Sequence, residues 1–349
     1  MSGKTRFAPS PTGYLHEGHL LSALYVWAAA EAFGLKIHLR IEDHDRSRAR
    51  PEYIRSIYED LEWFGFEYDS DSIQSNRNPV YEEALAKLER DGLVYPCFCS
   101  RKQLEAENPK SETGEIVYSG KCRKIDSSMD TLVPSALRCD AQSYTHTPSA
   151  LRCDEQPYIH MPSALRCDEL ANPAHQCDAQ SYTHMPSALR CDEQPHNLRI
   201  IVPDKVIHWH DMRLGDFDEK PKQQCGDFPI RDRDMQWTYQ FAVCVDDIDE
   251  GITHIVRGED IRSSTARQIA LMQLLGRETP PAYLHHPLIV DAAGKKLSKR
   301  ERAHSLRQDR DAGQSKESLL GRVCFKAKLQ PENTPLTLAE AISLAKQAL

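Results

Sequence analysis

An α/β fold with a parallel sheet is predicted from three observations. The first ninety residues alternate strand, loop, helix, strand, helix, helix. After a repetitive stretch, strand and helix patterns resume near residue 197 and continue to about 290. The junction of the first strand and first helix is the loop PSPTGYLHEG, placed where helix N–H groups favour an anion.

Thr5–Ala8 leads into that loop, and an Ala/Leu-rich helical pattern runs from about His19 to Phe33. Lys36–Ile41 is a short strand ended by Glu42-Asp43. Pro51 suits the first helical position, and Ile54, Ile57, Tyr58 and Leu61 keep helical spacing behind it. A further helix runs from about Pro79 to Arg90 and stops at Gly92. Beyond the repeats, strands are expected at Asn197–Val202, Lys205–Trp209, Ile252–Val256 and Leu288–Val290. Trp237–Val245 is an apolar run, and Ile261–Leu275 is a helix with Ile269, Leu271, Met272 and Leu275 on one side. Two weak helical patterns, Ser315–Val323 and Leu336–Ala348, complete the chain.

The 349 residues allow one large or two to three ordinary domains. A hydrophobic fraction of 40% with 28% charged residues is that of a soluble globular protein, and the net charge of −8 announces no overall basic field for a nucleic acid, although a local patch is compatible with it. The start, MSGKTRFAPS, lacks the regions of a signal peptide. The longest apolar run, Leu20 to Leu35, is too short for a bilayer and contains Glu31. A cytoplasmic protein without a membrane partner is expected, and a monomer.

Three clusters carry chemistry. In SPTGYLHEGH, Gly13 and Gly18 permit close backbone approach, and His16 and His19 are placed to donate to phosphate oxygens. KKLSKR (295–300) sets three lysines and an arginine on a Gly-led loop, suited to a polyphosphate or simply to a solvated basic turn. Cys97-Phe-Cys99 with Tyr118 and Cys122 can supply three thiolates to zinc; from spacing alone, spare buried thiols are an equal reading.

Together the motifs resemble those of class I aminoacyl-tRNA synthetases. SPTGYLHEGH is similar to the HIGH signature and KLSKR to the KMSKS loop, with Glu17 standing where the signature usually has an apolar residue. RFAPSPTG, RIEDHDRSR, WTYQFAVCVDD and HIVRGEDI resemble the glutamyl subgroup, over roughly 1–125 and 198–305. The resemblance implies a Rossmann-like catalytic domain split into 1–94 and 197–305. Between the halves it implies a zinc-binding insertion at 95–125, and the repeats over 126–196 read as a further, flexible insertion outside the resemblance. A short helical region at 306–349 ends the chain. It also implies roles. Arg6, Ser10, Glu42, Tyr239 and Arg257 would bind L-glutamate, with Glu42 on the α-ammonium and Arg257 suited to the side-chain carboxylate. Taken without the motifs, Tyr239 reads as a core aromatic, and Glu42 and Arg257 as a surface ion pair. His16, His19, Lys296, Ser298 and Lys299 would bind ATP, expected with Mg2+. Of these, His16, His19 and Lys299 would act on the phosphates as pyrophosphate departs. YPCFCSRKQ and YSGKC are similar to the Cys, Cys, Tyr, Cys zinc site of glutamyl-queuosine tRNA(Asp) synthetases, so one structural Zn2+ on Cys97, Cys99, Tyr118 and Cys122 is implied.

Only 49 residues follow Arg300, too few for the anticodon-binding domains of a full glutamyl-tRNA synthetase. The resemblance is therefore to glutamyl-queuosine tRNA(Asp) synthetases. These activate glutamate with ATP and transfer it to the queuosine base in the anticodon loop of tRNA(Asp). The alternatives are a short glutamyl-tRNA synthetase charging tRNA(Glu), and a non-enzymatic metal- or RNA-binding protein on a decayed synthetase fold.

The repeats are poor in information. PSALRCD begins at 134, 148, 162 and 186, and Cys139–Pro157 agrees with Cys177–Pro195 at eighteen of nineteen positions. Polar and apolar positions are copied alike, unlike a stacked repeat that preserves only its core. Five of the eleven cysteines lie here, and the repeat unit spreads its Cys and His about seven residues apart, where zinc fingers and ribbons place two ligands two to four apart. A flexible surface insertion from recent duplication is expected, and removal of Pro134–Met185 would leave 297 residues.

Overall fold

In a computed structural model, residues 3–112, 114–123, 195–289 and 305–349 are described. They belong to one compact unit drawn from 1–124 and 195–349. The repeats and the KLSKR loop, with Lys296, Ser298 and Lys299, lie outside the described residues.

The first half runs β1 (Lys4–Phe7), α1 (Glu17–Phe33), β2 (Lys36–Ile41), α2 (Pro51–Phe64), β3 (Ser70–Ile73) and α3 (Asn78–Arg90). β1, β2 and β3 pair in parallel, with Arg6 opposite His38 and Ile41 opposite Ile73. α1 is buried almost all round from Leu20 to Ala30, so its sequence lacks a polar face. It ends at Gly34, whose φ of 64° is the left-handed turn that glycine adopts without strain.

β4 (Val94–Cys97) and α4 (Arg101–Glu107) lead to the described edge of the repeats. Beyond them come β5 (Asn197–Ile200), β6 (Ile207–Asp211), β7 (Gly215–Glu219), α5 (Pro221–Gln224), β8 (Pro229–Arg231) and α6 (Tyr239–Asp249). β9 (His254–Gly258), α7 (Thr265–Leu274) and β10 (Ala282–His286) follow. β4, β5 and β8 form a small antiparallel sheet in which Cys97 faces Asn197. β9, β10 and β6 are parallel, and β7 adds an antiparallel edge. β9 lies beside β1, where the Thr253 N–H donates to the Lys4 carbonyl at 2.9 Å.

The two sheets thus run β3, β2, β1 and β9, β10, β6, β7, and with β1 beside β9 the direction of growth reverses between them. In such sheets the ligand crevice lies outside the carboxyl ends of the strands at that switch point. Ser10, Glu42, Gly258, His286 and Asp211 all stand at carboxyl ends or just past them.

The strand expected at Leu288–Val290 is instead Ala282–His286. Its five residues pair in register with His254–Gly258. Pro287, which has no N–H for a ladder, stands immediately after it. Ile261–Leu275 divides into a 3-10 turn, Glu259–Ser264, and the α-helix Thr265–Leu274.

α8 (Leu306–Asp311), α9 (Lys316–Lys326) and α10 (Leu338–Gln347) close the chain, with α9 and α10 packed on α1. Gly321 in α9 is required by a close crossing, because a Cβ there would collide with the Thr334 carbonyl. No helix among the described residues is long and apolar enough to cross a membrane.

Candidate active site

His16 is the N-cap of α1. Its Nδ1 accepts from the Gly18 N–H at 3.1 Å, and His19 Nδ1 accepts from the His16 N–H at 3.2 Å. An Nδ1 that accepts is unprotonated, so each neutral ring carries its proton on Nε2. The rings lie 3.9 Å apart between centroids, at the positive end of the α1 dipole. Ser305 bridges to the His16 backbone, and the Leu306 N–H donates to the Leu15 carbonyl at 2.8 Å. The far end of the KLSKR loop is thus tied beside His16. At its near end Ile289 is buried in the core.

Glu17, which stands where the signature usually has an apolar residue, finds charged partners. It ion-pairs with Arg322 at 2.7 Å and with Lys326 at 2.7 Å, both on α9.

The amino-acid residues named from sequence stand together at the strand ends. Arg6 is buried and pairs through Nε with Asp247 Oδ1 at 3.1 Å, while an Nη1–H donates to the Val256 carbonyl at 3.3 Å. Glu42 is buried beside Arg40, with Nη2 to Oε1 at 3.3 Å. Burial raises its carboxyl above the ordinary value, although Arg40 opposes the change. Tyr239 opens α6 with its ring 6.1 Å from that of His44. Burial and then the Glu42 charge raise its hydroxyl, whereas Arg257 and Arg6 pull it down, so these groups share one field. A cavity of about 620 Å³ bounded by His44, Arg46, Gln236 and Trp237 adjoins Tyr239.

Beneath this pocket is a charge cluster that the sequence reading did not single out. Arg40, fully buried, reaches Asp247 Oδ1 and Glu250 Oε2 at 2.8 Å each. Burial works to raise Asp247, but Arg6 and Arg40 reverse this and hold it below the usual range. Glu250 goes down to about 2 against its burial, through His38 and Arg40. The sequence signal was an arginine between Leu39 and Ile41 in the strand KIHLRI, and two adjacent aspartates closing an apolar run.

A second missed group surrounds Arg257. Its Nε–H donates to His285 Nε2 at 3.0 Å, an Nη1–H to Gln268 Oε1 at 2.6 Å, and an Nη2–H to Thr265 Oγ1 at 2.8 Å. His285 Nδ1 contacts Asp211 Oδ2 at 2.6 Å, and both side chains are fully buried.

In the small lobe, the sulfurs of Cys97, Cys99 and Cys122 lie within 4.8 Å of one another. The Tyr118 hydroxyl is 3.5 Å from Cys97 Sγ and 3.8 Å from Cys99 Sγ. Burial tends to raise the Cys97 thiol, but Tyr118 and Arg199 outweigh it and its pKa falls. Burial and the Cys122 contact push Cys99 up to about 11. Four convergent soft or phenolic donors fit a tetrahedral cation. Gly226 holds the lobe to the body: Tyr118 N–H donates to the Cys225 carbonyl at 3.1 Å, and a Cβ at 226 would collide with the Tyr118 carbonyl.

The sequence matches the family described as tRNA synthetases class I (E and Q), catalytic domain, over residues 3–138 and 142–334. The chain belongs to that family of ATP-using ligases. Within it, the chain is similar to proteins named Glutamyl-Q tRNA(Asp) synthetase. That of Nitratidesulfovibrio vulgaris is 32% identical over 98% of this chain and 92% of its own length. That of Neisseria meningitidis serogroup B is 36% identical over 93% of this chain and 88% of its own. Among solved structures, the glutamate-tRNA synthetase of Elizabethkingia anophelis has the same fold, with a TM-score of 0.67 and 24% identity. The match takes in 99% of this chain but 66% of that one.

Proposed function

We propose that the chain activates L-glutamate with ATP and transfers the glutamyl group to the queuosine base at the wobble position of tRNA(Asp). The observation that carries this reading is the likeness, over nearly the full length of both chains, to proteins named for that activity.

The chain's residues divide the work as follows. Arg257 takes the side-chain carboxylate, and Glu42 the α-ammonium. Arg6, Ser10 and Tyr239 complete the pocket. Both signature histidines present Nε2–H to the ATP phosphates, because each Nδ1 is occupied by a backbone N–H. Lys296, Ser298 and Lys299 reach the phosphates from the loop anchored at Ile289 and Ser305. A glutamate α-carboxylate oxygen attacks the α-phosphorus and pyrophosphate leaves, its charge met by Lys299 and the histidines. A hydroxyl of the queuosine cyclopentene ring then attacks the glutamyl carbonyl, and AMP leaves with the bonding pair. The cavity beside Tyr239 has room for that nucleoside, and unpaired loop bases are the usual targets of sequence-specific RNA readers.

One zinc ion held by Cys97, Cys99, Tyr118 and Cys122 would fix the small lobe, with no part in the chemistry. The test is purified protein with ATP, labelled glutamate and either queuosine-containing tRNA(Asp) or tRNA(Glu). Glutamate-dependent ATP–pyrophosphate exchange without tRNA is expected, with label on tRNA(Asp). Label on tRNA(Glu) alone would assign the chain to ordinary charging, and no exchange would mean a non-enzymatic protein.

A further inference from the structure

Arg257 is only 4% exposed, yet among the described residues it forms no ion pair with a carboxylate. Its neighbours differ: Arg6 faces Asp247, Arg40 faces Asp247 and Glu250, and Arg267 faces Glu115. Each acceptor around Arg257 is neutral. Gln268 is held amide-oxygen inward, because its Nε2–H donates to Gln240 Oε1 at 2.9 Å and Gln240 in turn donates to Ser264 Oγ at 3.0 Å. Thr265 offers a hydroxyl. His285 offers an unprotonated Nε2, since its Nδ1–H points to Asp211. That carboxylate stands on the far side of the imidazole and also accepts the His285, Arg213 and Leu214 N–H groups. Burial and Arg257 itself depress protonation of His285.

A buried cation without a counter-ion is costly, and the cost is relieved when a ligand brings the opposite charge. A carboxylate in place of any of these acceptors would satisfy Arg257 internally and leave nothing for a substrate anion. We propose that Gln268, with Thr265 and the Asp211–His285 pair, forms a neutral cradle that keeps the Arg257 charge for the substrate's side-chain carboxylate, and so sets preference for glutamate over glutamine. Gln268 is then a positioning residue acting through Arg257. The inference rests on the proposed activity and adds the residues that determine its substrate charge.

The test compares Gln268→Glu, nearly isosteric but charged, with Gln268→Met, which removes the acceptor without adding charge. The readouts are glutamate KM and kcat in ATP–pyrophosphate exchange, and the Ki of glutamine. Gln268→Glu is expected to raise the glutamate KM about a hundredfold or more, the loss expected when a buried charge contact is forfeited, with a much smaller change in kcat. The ratio of glutamine Ki to glutamate KM should collapse by a similar factor. Gln268→Met should raise KM less, by about tenfold, the lower end of what one hydrogen bond to a charged group is worth, because Arg257 keeps its charge and its bonds to His285 and Thr265, and it should keep most of that ratio. Thr265→Asp delivers the same charge from the other side of the guanidinium and serves if Gln268→Glu does not fold. Equal losses in the charged and uncharged variants, or an unchanged ratio in both charged ones, would overturn the cradle. A wild-type protein that neither exchanges nor binds glutamate by calorimetry would overturn the proposed function first, and the two failures are thereby distinct.

Discussion

Replacing Arg40 by methionine tests whether the buried charge cluster supports the amino-acid pocket. Methionine keeps most of the volume, so the perturbation is loss of charge and hydrogen bonds, not a cavity. Arg40 touches Asp247 and Glu250 at 2.8 Å, Glu42 at 3.3 Å and Asp246 at 3.8 Å, all with side chains at most 5% exposed. Removing one partner of a buried pair costs about 3–5 kcal/mol. The losses do not sum, because Asp247 retains Arg6, Asp246 retains Arg77 and Glu250 retains His38. At about 2–4 °C per kcal/mol for a domain of this size, the melting temperature should fall by roughly 6–20 °C. The pH dependence carries the sign. In the wild type Glu250 is depressed to about 2, so its contribution is present above the unfolded value and is lost as pH falls through about 2. Without Arg40, Glu42 loses the main charge opposing its burial, so its carboxyl, already raised, goes further above the unfolded value and the variant weakens as pH rises through it. The deficit should therefore be larger at pH 8 than at pH 5. Urea denaturation followed by circular dichroism at both pH values measures it. A cost below about 1 kcal/mol, or one equal at the two pH values, would refute the reasoning, because neither is compatible with uncompensated buried carboxylates.

Other outcomes follow from single contacts. Cys122→Ser should abolish stoichiometric zinc, measured by plasma emission on the purified protein, and lower the melting temperature while glutamate-dependent exchange persists. A protein that purifies without zinc in the wild type would count against the four-ligand site. Gly226→Ala should destabilise the same lobe, since a Cβ would meet the Tyr118 carbonyl; an unchanged melting curve would show that the crossing relaxes freely. A double-mutant cycle of Glu17→Gln with Lys326→Met should give a coupling of about 0.3–1 kcal/mol that shrinks in high salt, because Lys326 is 39% exposed and screened. Deleting Pro134–Met185 should keep exchange activity within about twofold and not lower the melting temperature, since destabilisation requires loss of a buried contact or a strained join; a variant that fails to fold would give the repeats a structural task.

What the sequence made legible was local. His16, Gly18 and His19 lie within one helical turn, so their order in the chain nearly is their arrangement in space, and Cys97 with Cys99 is similar. The strand before Pro287 was placed a few residues late because an apolar run marks burial, whereas the strand is set by pairing with His254–Gly258 across the sheet. Arg40 and Asp247 are 207 residues apart, and no periodicity in either segment names the other. Gln268 shows the same limit more sharply. The apolar positions Ile269, Leu271 and Met272 mark burial, whereas the polar Thr265, Arg267 and Gln268 carry no such mark, although Gln268 lies one turn before Leu271 and Met272 and Thr265 one turn before Ile269. All six are buried, because α7 is enclosed by the core on one side and by the pocket and the small lobe on the other. Amphipathic periodicity distinguishes core from water, but it has no third category for a polar face turned toward a buried ion. Where a helix carries polar residues that the fold nevertheless encloses, their partners must be other polar groups. Around Arg257 those partners are arranged so that one charge is left for a ligand.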